Sequence, residues 1–105
     1  MRRAVLLLLM PMTLPAQADP DVTRQTQLIS LLRQDCGACH GMTLKGGLGP
    51  SLLPEALAGT SPELLRQTIL DGRPGTPMPP WRGILSGDEV DWLVNQLRNG
   101  VGNAK

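Results

Sequence analysis

Aromatic residues are scarce in this chain. Its 105 residues contain no Phe and no Tyr, and its two Trp are Trp81 and Trp92. Aromatic side chains supply much of the bulk of a protein core, and a domain this small buries only a modest share of its surface. Small domains usually compensate with a covalent staple or a bound cofactor. We therefore expect the folded chain to depend on such a group.

An excess of charge of one sign is also missing. Ten Lys and Arg residues oppose nine Asp and Glu residues, and apart from Arg2 and Arg3 the basic residues are scattered singly. This pattern gives no indication of binding to nucleic acid or to an anionic membrane surface.

Cysteine and histidine are nearly absent, and all of them lie in one segment, Cys36-Gly37-Ala38-Cys39-His40. Two cysteines three positions apart, followed directly by histidine, form the attachment signature of a c-type haem. One turn presents both sulfurs to the two vinyl groups of the porphyrin, and the imidazole that follows binds the iron. We predict one covalently attached haem c, tethered by Cys36 and Cys39, with His40 as an axial ligand.

Three other uses of this segment fit the sequence less well. A thioredoxin-like redox pair needs a preceding strand and a βαβ frame, whereas the flanks here have helical patterns. A structural zinc site needs four ligands, and the segment supplies three. A disulfide between Cys36 and Cys39 would close a very short loop and stabilise little.

One long apolar run is present, at the N-terminus. Arg2 and Arg3 precede it, it covers residues 4–14, and Pro15-Ala16-Gln17-Ala18 follows. These are the three parts of a secretory signal peptide, and the run is too short for a stable membrane anchor, which is the alternative. We predict a signal peptide over residues 1–18, cleaved after Ala18, and one exported, periplasmic domain over residues 19–105. Cleavage would leave 87 residues and change the formal charge from +1 to −1.

The mature chain has apolar residues at helical spacing, no period-two run typical of strands, and no internal repeat, so an all-α fold is predicted. The first expected helix is capped by Thr23 and runs to Gln34, and a short one covers Pro54 to Ala58. The third runs from Glu63 to Leu70, with Ser61 as its N-cap and Gly72 as its stop. The last starts at a Ser86/Glu89 capping box and has an apolar face formed by Val90, Leu93, Val94 and Leu97.

The second axial ligand must come from another residue type, because His40 is the only histidine. Met42 is too close to His40 to reach the opposite face of the haem and is expected to pack. Met78 lies in a loop with prolines on both sides, which makes the loop stiff. We predict Met78 as the ligand, with a gap-filling core methionine as the alternative. Methionine and histidine ligation raises the reduction potential and leaves no open iron position, which favours a one-electron carrier over an enzyme.

Two residues are expected to support the ligands. The Pro50 carbonyl can accept a hydrogen bond from Nδ1 of His40 and fix the ring; a plain turn at Pro50 is the alternative. Trp81 is expected either to contact the haem edge or a propionate, or to pack in the core. Arg73 and Arg82 flank the Met78 segment and are expected to be surface charges.

The order of these features resembles class I cytochromes c. A first helix, the segment Cys36–His40, Gly49-Pro50, the loop with Met78 and a capped last helix follow one another as in that class. The resemblance implies that the first and last helices cross and pack around the haem. One departure is visible, because Gln96 is polar where many class I cytochromes place an aromatic residue at this crossing. Trp92 and Leu93 are expected to supply the bulk instead.

Three longer runs, over residues 33–42, 46–50 and 71–81, resemble the cytochrome c-55X group, small monohaem cytochromes encoded beside cytochrome cd1 nitrite reductase. The resemblance implies a monomeric periplasmic electron donor to that reductase, supplied by an upstream quinol-oxidising complex or cytochrome. A redox or assembly role in maturing haem d1, or donation to another acceptor or oxidase, are the alternatives that it leaves open. A peroxidase would need acid–base residues beside a vacant iron position, and no second histidine is available.

Overall fold

The computed structural model describes residues 3–13 and 19–101, and all regular secondary structure in these residues is helical. Residues 3–13 have no regular structure, and their apolar side chains are exposed. The cleavage sequence expected at residues 15–18 lies outside the described residues. None of the described helices is both long and apolar enough to cross a membrane.

Five α-helices follow one another along the described chain. They are α1 Val22–Leu31, α2 Gly37–His40, α3 Pro54–Leu57, α4 Pro62–Asp71 and α5 Gly87–Arg98. A π-helical segment, Leu32–Cys36, joins α1 to α2 without a break. The predicted all-α fold is confirmed by this architecture, and the residues between α1 and the cysteines are helical as expected.

The starts of the longer helices show which capping predictions were correct. Ser61 caps α4 with Pro62 in its first turn, and α5 begins with the Ser86/Glu89 capping box. The predicted cap at Thr23 is wrong, because the N-cap of α1 lies two residues earlier, at Asp21, whose side chain accepts the hydrogen bond from the Arg24 backbone N–H. Asp is at least as good an N-cap as Thr, and the apolar pattern of α1 does not mark the first turn.

The core is built from aliphatic side chains alone. The buried hydrophobic residues are Leu28, Leu32, Leu44, Leu57, Leu70, Leu85, Val90, Leu93, Val94 and Leu97. Both tryptophans are half-buried and pack against this cluster from outside. The predicted apolar stripe of α5 is confirmed, since all four of its residues are buried. The expectation that Met42 packs is wrong, because 70% of its surface is exposed.

Helix α5 is the central element, and it contacts α1, α3 and α4. The side chains of Arg24 in α1 and Glu89 in α5 form an ion pair, and Arg66 in α4 pairs with Asp91 in α5 at 2.9 Å. An open cavity of about 400 Å³ lies at the α1–α5 crossing and is lined in part by Trp92 and Gln96. The polar residue at the crossing therefore lies beside a gap, while the neighbouring Leu93 is buried in the core.

Candidate haem site

Helical backbone places both cysteines and the histidine on adjoining turns. Cys36 ends the π-helical segment, and Cys39 and His40 lie in α2. Both cysteines are free thiols and half-buried. The π-helical turn is defined by a hydrogen bond from the Gly37 N–H to the Leu32 carbonyl. Such turns occur frequently at functional sites, and here one leads directly into the segment with the haem-attachment signature.

The environment of Cys36 argues against a redox-active dithiol. Burial raises the pKa of the Cys36 thiol to about 11, and the negative charge of Asp35 adds to this effect. Redox-active pairs of this spacing have a thiol whose pKa is lowered. The flanks are helical, as the sequence indicated, and no strand occurs in the described ranges. A redox dithiol is therefore not supported.

A metal site made of protein side chains alone is not supported either. Within residues 3–13 and 19–101, no group of three or more His, Cys, Asp and Glu side chains is arranged to hold a metal ion. This finding removes support from the structural zinc alternative, which needs four ligands.

The His40 ring is held by the segment that follows it. Its Nδ1 lies 2.7 Å from the carbonyl oxygen of Pro50. Because a carbonyl oxygen only accepts, Nδ1 carries the proton and donates it, and Nε2 keeps its lone pair for a metal. The Gly49 backbone lies against the same ring: a Cβ atom there would be 2.8 Å from Cε1 and Nδ1 of His40. The structure thus contains the contact between His40 and Pro50 that the sequence suggested.

The loop after α2 also completes the end of that helix. The carbonyls of Cys39 and His40 have no partner within a helix that ends at His40. They accept hydrogen bonds from the N–H groups of Gly49 and Gly46, each at 2.8 Å. The loop over residues 41–50 is therefore fixed to the turn that carries the two thiols and the imidazole, which limits the freedom of the His40 ring.

The segment with Met78, residues 72–81, is called here the Met78 loop. It has no regular helix, as its four prolines indicate. Its far end returns to α4, where the Trp81 N–H donates to the Leu70 carbonyl at 3.1 Å and the Arg82 N–H donates to the same carbonyl at 3.0 Å. Arg82 also pairs with Asp71 at 2.8 Å across the base of the loop. The loop is thus closed on the C-terminal end of α4.

Met78 is half-buried, and it does not belong to the core or to the apolar residues packed around it in the part of the chain that the structure describes. A gap-filling core methionine therefore does not describe it. Trp81 and Cys36, in contrast, both pack against the same core. The core thus joins the element that carries the first thiol to the end of the Met78 loop.

These residues fit a c-type haem by the chemistry of their donor atoms. The turn supplies two free thiols and an imidazole whose Nε2 is left available, and the Met78 loop supplies a thioether outside the core. The sequence did not reveal the π-helical turn or the contact of Gly49 with the His40 ring. Both depend on hydrogen bonds and close approaches that have no signal in the residue pattern.

Comparisons with known proteins agree on the class of c-type cytochromes. The profile of the family "Cytochrome C oxidase, cbb3-type, subunit III" matches residues 24–96. A cytochrome c55X from Pseudomonas aeruginosa is 60% identical over 89 residues, which are 83% of this chain and 75% of that protein. The solved structure of a c-type cytochrome NirC, 60% identical, superimposes with a TM-score of 0.75 over 76% of this chain and 94% of that one.

A larger protein contains a similar region. Dihydro-heme d1 dehydrogenase from Pseudomonas aeruginosa is 47% identical over 68 residues, which are 65% of this chain and 14% of the dehydrogenase. A region of this type is therefore also found as a small part of a longer protein. From its sequence, its helical fold and these similarities, the chain belongs to the class I c-type cytochromes, in the cytochrome c55X family, and is an electron-transfer protein with covalently attached haem c.

Proposed function

We propose that Cys36 and Cys39 attach the haem and that His40 and Met78 are its axial iron ligands. The placement of the two thiols beside His40 on continuous helix supports the first assignment. The contact of His40 with Pro50 supports His40 as an iron ligand, since it leaves Nε2 for the iron. When bound, the haem supplies a one-electron iron couple. Pro50 orients the imidazole, and Trp81 forms part of the apolar surroundings.

The mature protein in this proposal is a periplasmic domain of residues 19–105, released from a signal peptide of residues 1–18. It acts as a monomeric carrier that takes electrons from an upstream quinol-oxidising complex or cytochrome. It donates them to cytochrome cd1 nitrite reductase. The observation that carries the proposal is the fixed His40 ring beside two free thiols, together with a thioether that is not used in the core. Two protein ligands on the iron leave no position for a substrate, as a carrier requires.

The experiment that tests the donor role is stopped-flow oxidation of the purified ferrous protein by cytochrome cd1 nitrite reductase with nitrite present. We expect fast and saturable oxidation for the wild-type protein and its loss for Met78→Ala, because without the thioether the coordination of the iron changes on oxidation and electron transfer becomes slow. Met42→Leu is the matched control for the ligand, since that methionine is 70% exposed; its spectrum and potential should be those of the wild type. Negligible oxidation of a six-coordinate wild-type protein would contradict the donor role.

A second candidate is electron acceptance during haem d1 maturation. The observation that favours it is the similar region within dihydro-heme d1 dehydrogenase. Removal of two hydrogens from a substrate releases two electrons and two protons, whereas a one-haem carrier accepts one electron at each encounter. Two ferric molecules of this protein would therefore be reduced for each substrate molecule oxidised.

The two candidates are separated by the direction of electron flow. The ferric protein is mixed with the dehydrogenase and its reduced substrate, and ferrous protein is followed by absorption. Two ferrous molecules for each oxidised substrate would support the maturation role. The absence of reduction, combined with fast oxidation by nitrite reductase, would leave the donor role as the function.

A further inference from the structure

We propose that Gly72, together with the turn that it closes, is the positioning element for Met78. This inference rests on the proposed role of Met78 as an iron ligand. Gly72 lies directly after α4, whose C-cap it forms, and six residues before Met78. It has no side chain with which to act on the haem, so its effect on the iron passes through the backbone of the Met78 loop.

The backbone of Gly72 and that of the Met78 segment are in unusually close contact. A Cβ atom at Gly72 would lie 2.7 Å from the carbonyl oxygen of Met78 and 2.9 Å from both the Pro79 carbonyl carbon and the Pro80 nitrogen. All three are main-chain atoms, so no flexible side chain can move aside. Pro79 and Pro80 have φ fixed by their rings, and the segment therefore has to move as a unit.

Hydrogen bonds close a turn over the same residues. The Arg73 N–H donates to the Met78 carbonyl at 3.2 Å. The Thr76 hydroxyl donates to the Arg73 carbonyl at 2.6 Å, and the Met78 N–H donates to that hydroxyl oxygen at 3.4 Å. Both main-chain groups of Met78 are thus bound to the residues that follow Gly72. The carbonyl that a Cβ at Gly72 would strike is the one that the Arg73 N–H holds.

The chain offers a matched control in the same loop. Gly75 has φ of +78°, close to the +68° of Gly72, but a Cβ atom at Gly75 would meet nothing within 4 Å. Alanine is strained at both positions because φ is positive, and Gly72, with ψ of −172°, has a backbone conformation almost restricted to glycine. Alanine at Gly72 alone also displaces the main chain of Met78. The difference between the two variants therefore combines the contact with the additional backbone strain at Gly72, and a variant that leaves Gly72 unchanged, Thr76→Val, separates the two effects.

The test compares haem-loaded Gly72→Ala and Gly75→Ala with the wild-type protein and with Met78→Ala. Three properties are measured: the charge-transfer band of methionine-ligated ferric haem, the reduction potential, and carbon monoxide binding to the ferrous protein. We expect Gly72→Ala to lose most of the band, to have a lower potential, and to bind carbon monoxide with an affinity roughly tenfold higher or more. We expect Gly75→Ala to keep the wild-type values of all three. Thermal unfolding of each variant shows how much of the effect is general destabilisation.

The outcomes separate this inference from the assignment of Met78. If Met78→Ala leaves the band and the potential unchanged, the ligand assignment itself is wrong. If Met78→Ala abolishes the band while Gly72→Ala behaves like Gly75→Ala, the ligand assignment stands and the positioning role of Gly72 is overturned.

A second variant covers the case in which Gly72→Ala yields too little haem-loaded protein. Thr76→Val keeps the shape of an exposed side chain and removes the hydroxyl that binds Met78 and Arg73. We expect it to weaken the charge-transfer band and to speed carbon monoxide binding, with little change in thermal unfolding. Wild-type spectra and carbon monoxide binding for Thr76→Val would overturn the role of the turn.

Discussion

The imidazole of His40 shows how two backbone groups can fix the properties of one side chain. The Pro50 carbonyl accepts the Nδ1 proton at 2.7 Å, and Gly49 leaves room for the ring because it has no Cβ. A hydrogen bond from Nδ1 makes an imidazole a stronger electron donor to a metal. In the proposed site, the short segment Gly49-Pro50 therefore influences both the orientation of the ring and its basicity.

A substitution at Gly49 tests this influence. In Gly49→Ala, the new methyl group would lie 2.8 Å from Cε1 and Nδ1 of His40, so the ring has to turn and its hydrogen bond to Pro50 weakens. A less basic imidazole stabilises ferric iron less, and we expect the reduction potential to rise. The measurement is a redox titration of the haem-loaded variant.

The control for this prediction is Gly59→Ala, because a Cβ atom at Gly59 meets nothing within 4 Å. Its potential should equal that of the wild-type protein. Equal potentials for both variants would mean that the contact of Gly49 with the ring has no electronic consequence.

Among the helices, the link between α1 and α5 depends on one carboxylate with several partners. Glu89 closes the capping box of α5 by accepting from the Ser86 N–H at 3.0 Å, and it pairs with Arg24 of α1. The hydrogen bond from Arg24, followed by that from the Ser86 backbone, lowers the pKa of Glu89 below its ordinary value. A lowered pKa means that ionised Glu89 stabilises the folded state at pH values above the pKa of Glu in the unfolded chain, about 4.3. This contribution is lost as the pH falls through the pKa of Glu89 in the folded state.

Replacing Glu89 by Gln keeps a side chain that can complete the capping box and removes the charge. We expect Glu89→Gln to unfold at lower denaturant concentration than the wild type at pH 7. We expect the difference to begin to shrink when the pH falls below the unfolded pKa of Glu, about 4.3, and to disappear as the pH falls through the lowered pKa of the folded state.

The measurement for this prediction is denaturant unfolding of the haem-loaded protein between pH 7 and pH 3.5. Asp88→Asn removes the same charge from the neighbouring residue and serves as the control. A difference between Glu89→Gln and the wild type that is constant across this range would show that the ion pair contributes nothing.

The helices also show where sequence patterns stop being informative. The caps at Ser61 and Ser86 were predictable because capping is decided by residues within one turn of each other. The cap at Asp21 was missed because the first turn of α1 carries no apolar residue of the core face. The π-helical segment was missed because its i to i+5 hydrogen bond leaves no mark on apolar spacing.

In the candidate site, too, some features could be predicted from the sequence and others could not. Cys36, Cys39, His40 and Met78 could be singled out from residue type and spacing, and the Pro50 carbonyl from its position after the haem motif. The close approach of Gly72 to the Met78 main chain depends on the path by which the loop returns to α4. No local pattern encodes that path, because it arises from contacts between segments that are separate in sequence.

For the molecule as a whole, the composition of the core sets the limit on stability. Its buried hydrophobic residues are all Leu or Val, and the two tryptophans pack from outside. A domain of this size with an aliphatic core has little apolar burial to set against the loss of chain entropy. The haem, which is largely apolar, would add burial at about 25 cal/mol for each Å² of apolar surface removed from water.

We therefore expect the chain to fold poorly without haem. In Cys36→Ala/Cys39→Ala, covalent attachment is impossible, and the haem-free protein should show helical circular dichroism below that of the wild type and a broad, weakly cooperative thermal transition. Adding haem to this variant is the control, because His40 and Met78 remain and noncovalent binding should restore helical signal and cooperativity. A sharp thermal transition in the haem-free variant would show that the aliphatic core is sufficient alone, and the haem would then be cargo held by a stable fold and not a part of its core.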